Sequence, residues 1–286
     1  MNLKDYLKKA RLEHWAVGHF NFSTADQLRA FVEAATESKS PVMVATSEGE
    51  ADFFGMEQAA ALVKVYQKLG YAVWLSADHY HSFEKCKQAI DVGYDSILID
   101  ASKLPYEENL ALTKQVVDYA HSVNPDISVE GELGYLRGSS EVQQKIEISP
   151  DDYTKPEQAI DFVTKTGVDR LATVFGNIHG IVTEQEEKLD VEHFKRVVTA
   201  LPSDVTLVLH GASGLKDDDV RAAIQAGISN VHINTELRVA YHDALMKELK
   251  EDPTQTTPYK MLKASDDATQ KMITAKLQLF GSVDKI

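Results

Sequence analysis

The sequence predicts a single (β/α)8 barrel of the TIM-barrel class over residues 1–286, with a C-terminal helical extension. Short β-rich runs alternate with amphipathic helical patterns along the whole chain, and there are eight such β-rich runs. No linker rich in proline, glycine or serine interrupts the series. No Gly-x-Gly-x-x-Gly string follows a strand, which disfavours a doubly wound sheet. The alternation therefore favours one barrel domain.

Each β-rich run is a predicted barrel strand because apolar and β-branched residues dominate it. In order, the runs span residues 16–22, 41–47, 72–78, 96–102, 127–133, 170–176, 206–213 and 230–236. Amphipathic helical patterns, such as residues 24–39 and 216–227, lie between them, and several end in a glycine suited to a helix C-cap.

Two segments exceed a minimal barrel. Residues 134–156 form a long connection after the fifth strand, on the catalytic face of a barrel, and are predicted to be a lid or active-site loop. The tail from Glu251 is polar, contains two prolines and continues into a helical pattern at residues 266–281. This helix either packs on a neighbouring subunit or covers its own barrel.

The acidic composition limits the classes of ligand. The chain has 30 Lys and Arg against 44 Asp and Glu, a net charge of −14, so nucleic acid and membrane surfaces are not expected partners. An anionic ligand must be held locally by backbone N–H groups, helix N-termini or a metal ion. Because no signal peptide or stretch of 18 apolar residues occurs, a cytoplasmic protein is expected. The single cysteine, Cys86, is expected to be a packed helix residue.

Polar residues follow the strands where a barrel carries its chemistry. Three histidines, His79, His179 and His210, follow the third, sixth and seventh strands. Three converging imidazoles with an open position suit a catalytic Zn²⁺. By spacing alone, a metal site and three ordinary surface or hydrogen-bonded histidines both stay open.

Several strings, in order, resemble one enzyme family: SADHYHSFEKCKQAIDVGYDSILIDASKLPYEENLALTKQVVDYAH, ISVEGELG, GNIHG, LVLHGASG and INTELR. They are similar to the class II, metal-dependent ketose-bisphosphate aldolases, the fructose- and tagatose-bisphosphate aldolase group. The resemblance runs over nearly the whole chain. It implies an aldolase that cleaves a phosphorylated ketose into dihydroxyacetone phosphate and an aldehyde, acting in carbohydrate metabolism as a homodimer or homotetramer.

The resemblance also implies roles for individual residues. Zn²⁺ would be bound by His79, His179 and His210, and Asp78 would act as general acid and base. Asp100 and Glu132 resemble positions that contact the metal or orient its ligands. The expected substrate- and phosphate-binding residues are Asn21, Ser47, Gly180, Gly211, Ala212, Ser213, Gly214, Asn234 and Thr235. Relatives hold Na⁺ or K⁺ beside this phosphate, so a monovalent cation is expected as a second ion.

The chain departs from the family pattern at positions that concern the substrate. His232 stands where relatives place an asparagine beside the reacting carbons, and Glu141 is the nearest match to the proton-relay glutamate, one residue out of register. Tyr259 replaces an arginine that serves the distal phosphate. The remaining departures are Ser76, Tyr80, Arg137 and Thr183 or its neighbour Glu184, with Lys260 and Lys276 as substitutes for the missing arginine.

These departures predict retained metal chemistry with altered substrate recognition. The substrate is either a bisphosphate held differently or a sugar without a distal phosphate. The alternative is a metal-binding barrel that has lost aldol activity and serves as a binding or assembly subunit. Activity that requires Zn²⁺ and generates dihydroxyacetone phosphate separates the two. A metallohydrolase is disfavoured because the first strand carries a single histidine, His19, rather than a pair.

Overall fold

A computed structural model describes all 286 residues and contains a closed eight-stranded parallel barrel, which confirms the predicted fold class. Going round the barrel, each strand pairs in parallel with its neighbours, and the first strand pairs with the last. The barrel strands are β1 (Val17–Asn21), β2 (Val42–Ser47), β3 (Val73–Tyr80), β4 (Ser96–Ile99), β5 (Ser128–Leu133), β7 (Arg170–Thr173), β9 (Thr206–Leu209) and β10 (Ile228–Ile233). Every predicted run supplies one of them.

Twelve helices accompany the barrel. They are α1 (Leu3–Glu13), α2 (Ala25–Glu37), α3 (Glu48–Phe54), α4 (Met56–Lys68), α5 (Phe83–Val92), α6 (Tyr106–Val123), α7 (Pro156–Thr166), α8 (Val191–Ala200), α9 (Asp217–Ala226), α10 (Thr235–Glu251), α11 (Pro258–Met261) and α12 (Lys263–Leu279). None of them combines the length and apolar character that crossing a bilayer requires. Cys86 lies fully buried on α5, as expected.

Two further strands lie outside the barrel and were not anticipated. β6 (Gly138–Gln143) belongs to the long connection after β5, and β8 (His179–Val182) follows β7. They pair in parallel as a separate two-stranded sheet, with Gly138 opposite His179. The connection expected to be a lid is therefore hydrogen-bonded to the segment that carries His179.

The strands alternate between two environments. Side chains such as Leu75, Ile97 and Leu207 belong to the large apolar core that includes the surrounding helices. The interior of the barrel is polar instead: Arg170 and Glu130, on adjacent strands, are both fully buried and contact each other. Burial of apolar residues between strands and helices thus stabilises the barrel, while its interior carries a polar network.

Both ends of the chain pack on the barrel. α1 closes its amino-terminal end, where Leu3 and Leu7 join Met43 in a second apolar cluster. α12 packs against α2 and α10 of the same chain, and the rings of Phe20 and Phe280 stack with centres 6.5 Å apart. Of the two arrangements considered for the C-terminal helix, the structure shows that it covers its own barrel.

Candidate active site and metal centre

A cleft of about 360 Å³ opens at the carboxyl ends of the barrel strands, and no hydrophobic side chain lines it. Of the residues expected to bind metal or substrate, it collects Asn21, Ser47, Asp78, His79, Asp100, His179, Gly180, His210, Gly211, Ser213, His232, Asn234 and Thr235. It is therefore the natural place for a polar ligand, because the carboxyl-terminal face of such barrels carries their active sites.

Three imidazoles meet at one side of this cleft. The ring centre of His79 lies 4.8 Å from that of His179 and 4.7 Å from that of His210, and the last two are 6.2 Å apart. Three imidazoles on one tetrahedral Zn²⁺ have ring centres about 5 Å apart. His79 adopts a left-handed backbone with φ of 50°, at the point where the pairing of β3 with β4 is irregular. This irregularity turns its side chain toward the other two histidines.

Carboxylates orient two of the three rings. The Nδ1 of His79 lies 2.9 Å from Oδ2 of Asp100, and Asp100 is itself held by the Ser102 hydroxyl at 2.7 Å. The Nε2 of His210 lies 2.7 Å from Oε1 of Glu130. A carboxylate that accepts one ring N–H leaves the other nitrogen with its lone pair free for a metal ion. Ligand atoms of His79, His210 and Asp78 lie within 4.8 Å of one another, and the His179 ring lies against His79, so the residues of this site fit a metal ion.

The local charge also favours a cation. Burial lowers the pKa of His79, but Asp78, Asp100 and Glu132 outweigh it and raise that pKa to about 10. Burial and the neighbouring Asp100 raise the pKa of Glu132 to about 8, and its Oε2 has no hydrogen-bond partner. Glu132 Oε2 lies 3.5 Å from Nδ1 of His79, the first of the three candidate metal ligands. An excess of carboxylates around one imidazole is relieved by a positive charge.

Asp78 lies at the centre of the site. Its Oδ2 accepts a 2.9 Å hydrogen bond from Asn21, whose Nδ2 also donates to Glu50 at 3.0 Å. Its Oδ1 is buried without a hydrogen-bond partner. Burial alone would raise the pKa of Asp78, but the nearby histidines, His79 foremost, lower it below its ordinary value. An ionised carboxylate with one unengaged oxygen can accept a proton.

His232 lies beside Asp78 and stacks on His19. The two rings are 3.5 Å apart and nearly parallel, at 6°, and His232 Nδ1 is 3.4 Å from Asp78 Oδ1. Nitrogens of His19 and His232 and an oxygen of Asp78 lie within 4.8 Å of one another, close enough to consider a second metal site. However, an ion shared by two parallel rings would lie well outside both ring planes, where the nitrogen lone pairs do not point. The stack instead fixes the position of the His232 ring in the wall of the cleft beside Asp78.

The residues expected to hold phosphate divide into two groups. Gly180, Gly211, Ser213, Asn234 and Thr235 line the cleft. Ala212 is fully buried, and the Gly214 N–H donates to Glu236 at 2.6 Å. The second oxygen of Glu236 binds Lys276 of α12 at 2.5 Å.

The glycines of this region are also required by packing. A Cβ at Gly211, where φ is 66°, would lie 2.0 Å from the Ile178 carbonyl oxygen. A Cβ at Gly180, with φ of 90°, would lie 2.2 Å from the Glu141 carbonyl oxygen. Substitution at either glycine would therefore disturb the loops themselves in addition to any bound ligand.

Several expected residues lie elsewhere. The Glu141 side chain is exposed and lines a neighbouring depression with Arg238, whereas Ser140 lines the cleft itself. Tyr259 is 74% exposed on α11, away from the cleft-lining residues. Lys276 is bound to Glu236 and does not substitute for the missing arginine within this chain.

Six cleft-lining residues were not among the expected site residues, and neither was part of the network beneath them. They are Glu48, Gly49, His81, Lys103, Ser140 and Arg238. Three of these, His81, Lys103 and Arg238, carry or can carry positive charge, and each lies inside a motif quoted above. Beneath the cleft, the strand alternation of ISVEGEL puts Glu130 and Glu132 on one inward face, a signal that indicates Glu130 as a partner for a strand-end histidine.

A polar cleft with a triad of histidines and an adjacent carboxylate, at the catalytic end of a TIM barrel, defines a metal-dependent barrel enzyme. The family model "Fructose-bisphosphate aldolase class-II" matches residues 1–285. The chain therefore belongs to the class II fructose-bisphosphate aldolase family and is an aldolase, a carbon–carbon lyase that performs retro-aldol cleavage.

Individual relatives agree with this assignment. The chain is 35% identical to a fructose-bisphosphate aldolase of Geobacillus stearothermophilus, over all of this chain and 98% of that protein. The YdjI aldolase of Escherichia coli K12 superposes with a TM-score of 0.85 at 36% identity, covering 99% of this chain and 98% of that one. A fructose-1,6-bisphosphate aldolase structure from Coccidioides immitis superposes with a TM-score of 0.86 over 99% of this chain and 97% of that one; at 24% identity, it shows the shared fold.

Proposed function

We propose that this aldolase uses one Zn²⁺, held by His79, His179 and His210, to cleave a phosphorylated ketose into dihydroxyacetone phosphate and an aldehyde. The observation that carries the proposal is the convergence of three imidazoles beside Asp78, whose Oδ1 is buried and has no hydrogen-bond partner. When bound, the ion supplies Lewis-acid polarisation of the ketone, the electron sink that cleavage next to a carbonyl requires. The relatives are named fructose-bisphosphate aldolases, which supports a ketose phosphate as the substrate class.

Asp78 is the proposed base. It takes the proton of the hydroxyl group on the far side of the breaking bond, so that this carbon becomes the aldehyde carbonyl. The bonding electron pair stays with the three-carbon phosphate fragment. The carbon of this fragment that keeps the pair must then gain a proton, which gives dihydroxyacetone phosphate. Asn21 holds the other carboxylate oxygen at 2.9 Å and so keeps Oδ1 of Asp78 directed at the substrate.

Glu141 is the proposed donor of that second proton. Its side chain lies in the depression beside the cleft, so β6 must shift to bring it to the substrate. We expect Glu141→Gln to slow proton exchange at the reacting carbon of dihydroxyacetone phosphate, measured by NMR in deuterated water. Ser140→Ala is the control, because Ser140 is the neighbouring residue and lines the cleft itself. An unchanged exchange rate in Glu141→Gln would transfer this role to another group.

Backbone N–H groups near Gly180 and Gly211, with Ser213, Asn234 and Thr235, are proposed to bind the phosphate of the three-carbon end. Thr235 begins α10, whose N-terminal dipole favours an anion. A monovalent cation, Na⁺ or K⁺, is proposed to assist beside this phosphate. Activity measured in Na⁺, K⁺ and tetramethylammonium salts tests this: equal activity in all three would remove the cation from the proposal.

The other end of the substrate is proposed to lie toward the β2 and β3 loops, near Ser47 and His81, because the phosphate end occupies the loops after β9 and β10. His232, held by its stack on His19, narrows the reacting side relative to an asparagine. We therefore propose that the preferred ketose phosphate differs from fructose 1,6-bisphosphate. Comparing kcat/KM across a panel of ketose mono- and bisphosphates tests this assignment directly.

The enzyme is proposed to work in the cytoplasm as a homodimer or homotetramer. Exposed apolar side chains on α10 and α11, Met246, Leu249 and Tyr259, support a subunit contact on that side. Light scattering on the purified protein tests the state, and a monomer at micromolar concentration would contradict it.

A further inference from the structure

Arg170 is a buried cation that the proposed reaction does not use. It begins β7, its side chain is fully buried inside the barrel, and it is among the largest fully buried side chains of the chain. A buried guanidinium is costly unless its N–H groups are paired, and breaking such pairing leaves isolated charges behind. Its position and partners therefore call for an explanation in terms of the site above it.

The guanidinium joins several strands of the barrel. Its Nη1 lies 2.6 Å from Glu130 Oε2 on β5 and 2.7 Å from Asn230 Oδ1 on β10, and its Nε donates to Ser128 at 3.1 Å. Its Nη2 donates to the Ser96 hydroxyl on β4. The planar fork of arginine suits several simultaneous contacts of this kind, which a lysine ammonium cannot reproduce.

Two branches lead from Arg170 to the cleft. Glu130 uses its other oxygen to accept from His210 Nε2 at 2.7 Å. Asn230 Oδ1 lies 3.1 Å from His232 Nε2, and its Nδ2 donates to the Val17 carbonyl at 2.9 Å. Arg170 is thus one residue removed from a proposed metal ligand on one side and from the histidine beside Asp78 on the other.

We propose that Arg170 is a positioning residue of the metal centre: it fixes the Glu130 carboxylate, which in turn fixes the His210 ring with Nδ1 toward the metal. This inference rests on the proposed metal ligation by His210. A carboxylate held by a fixed cation cannot rotate away from His210, so the orientation of the ring is set before the ion arrives. Partners of this kind typically change metal affinity or activity by 10- to 100-fold when they are altered.

Metal affinity is the direct test. Zn²⁺ binding to wild type, Arg170→Lys and Glu130→Gln is measured by competition with a chromogenic chelator, and the absorption spectrum of each Co²⁺-loaded protein is recorded. We expect both variants to bind Zn²⁺ roughly 10- to 100-fold more weakly and to show altered Co²⁺ bands. In the Glu130→Gln background, Arg170→Lys should cause little further loss, because Arg170 acts through Glu130.

Asp169→Asn is the matched control. Asp169 is the neighbouring residue, pairs with Lys4 at 2.7 Å near the closed end of the barrel, and has no contact with the histidines of the site. We expect it to lower thermal stability while leaving Zn²⁺ affinity and the Co²⁺ spectrum unchanged. A general loss of stability would affect all the variants alike, whereas a positioning role affects only those linked to His210.

The outcomes separate this inference from the proposed function. If folded Arg170→Lys binds Zn²⁺ like wild type with the same Co²⁺ spectrum, the positioning role is wrong while the metal centre stands. If wild type itself binds no Zn²⁺, both fail. Should Arg170→Lys not fold, the double variant Arg170→Met with Glu130→Gln leaves no isolated buried charge, and wild-type Zn²⁺ affinity in it would equally overturn the role.

Discussion

Glu187 makes the stability of the chain depend on pH in an unusual direction. It lies between β8 and α8, is 7% exposed, and accepts a 2.7 Å hydrogen bond from the backbone N–H of Ile178, next to His179. Burial raises the pKa of Glu187 from its ordinary 4.5 to about 8. Because the folded pKa lies above the unfolded one, the folded protein loses stability as pH rises from 4.5 to 8 and keeps that loss above pH 8.

The size of the effect follows from that shift. Each pKa unit corresponds to about 1.4 kcal/mol, so the shift sets an upper limit of roughly 5 kcal/mol at high pH. Relaxation and water entry reduce such values, and we expect ~2 to 3 kcal/mol. Glutamine has nearly the same shape, retains the oxygen that accepts from Ile178 and has no charge. Glu187→Gln should therefore match wild type at pH 4.5 and exceed it at pH 9.

Thermal unfolding of both proteins between pH 4.5 and 9 measures this difference, which should reach roughly 5 °C at the alkaline end for a chain of this size. Glu186→Gln is the control, because Glu186 is an exposed neighbour paired with Lys216 and its pKa is lowered instead. It should show no alkaline gain. If Glu187→Gln is less stable than wild type at pH 9, the ionised carboxylate is favourable at this position and the reasoning is refuted.

Three further predictions concern the site. His179→Ala should abolish bound zinc, measured by elemental analysis, since two imidazoles alone cannot complete the centre; full metal content would count against the ligand assignment. Asp78→Ala should keep metal and substrate binding while lowering kcat by ~10²- to 10⁴-fold, as expected for loss of a positioned acid or base; unchanged turnover would move the proton transfer to another group. His232→Asn should raise kcat/KM for fructose 1,6-bisphosphate relative to other ketose phosphates, and a wild type that already prefers this bisphosphate, with a variant merely slower, would contradict it.

Much of the fold could be predicted because apolar residues recur at a different spacing in strands than in helices. Apolar side chains on the outer face of each strand pack against the helices. Polar residues at the strand ends mark the catalytic face, and this pattern identified His79, His179 and His210 as site residues. The same alternation underlies the polar interior, but an arginine at a strand start, such as Arg170, looks like an ordinary strand-end charge. Its partner Glu130 lies 40 residues away in sequence, and only closure of the barrel brings the two together.

Other features depend on side-chain reach and loop pairing. β6 and β8 contain few strongly apolar residues, so no periodic pattern revealed that the two loops pair. The expected free N–H of Gly214 is occupied by Glu236, which Lys276 holds from a helix 40 residues further along. Such contacts arise from the relative placement of elements that local sequence patterns do not encode.

The bond between Lys276 and Glu236 gives the chain a defined order of completion during synthesis. A ribosome produces every barrel strand and the loop at Gly214 before it reaches α12, so the Glu236 carboxylate beside Gly214 lacks its cation until α12 has left the exit tunnel. The nascent barrel meanwhile leaves Phe20 uncovered by Phe280. A chain that stops between residues 276 and 279 would contain Lys276 but lack Phe280, whereas a chain that stops before residue 276 would lack both, so the two contacts are lost at different truncation points.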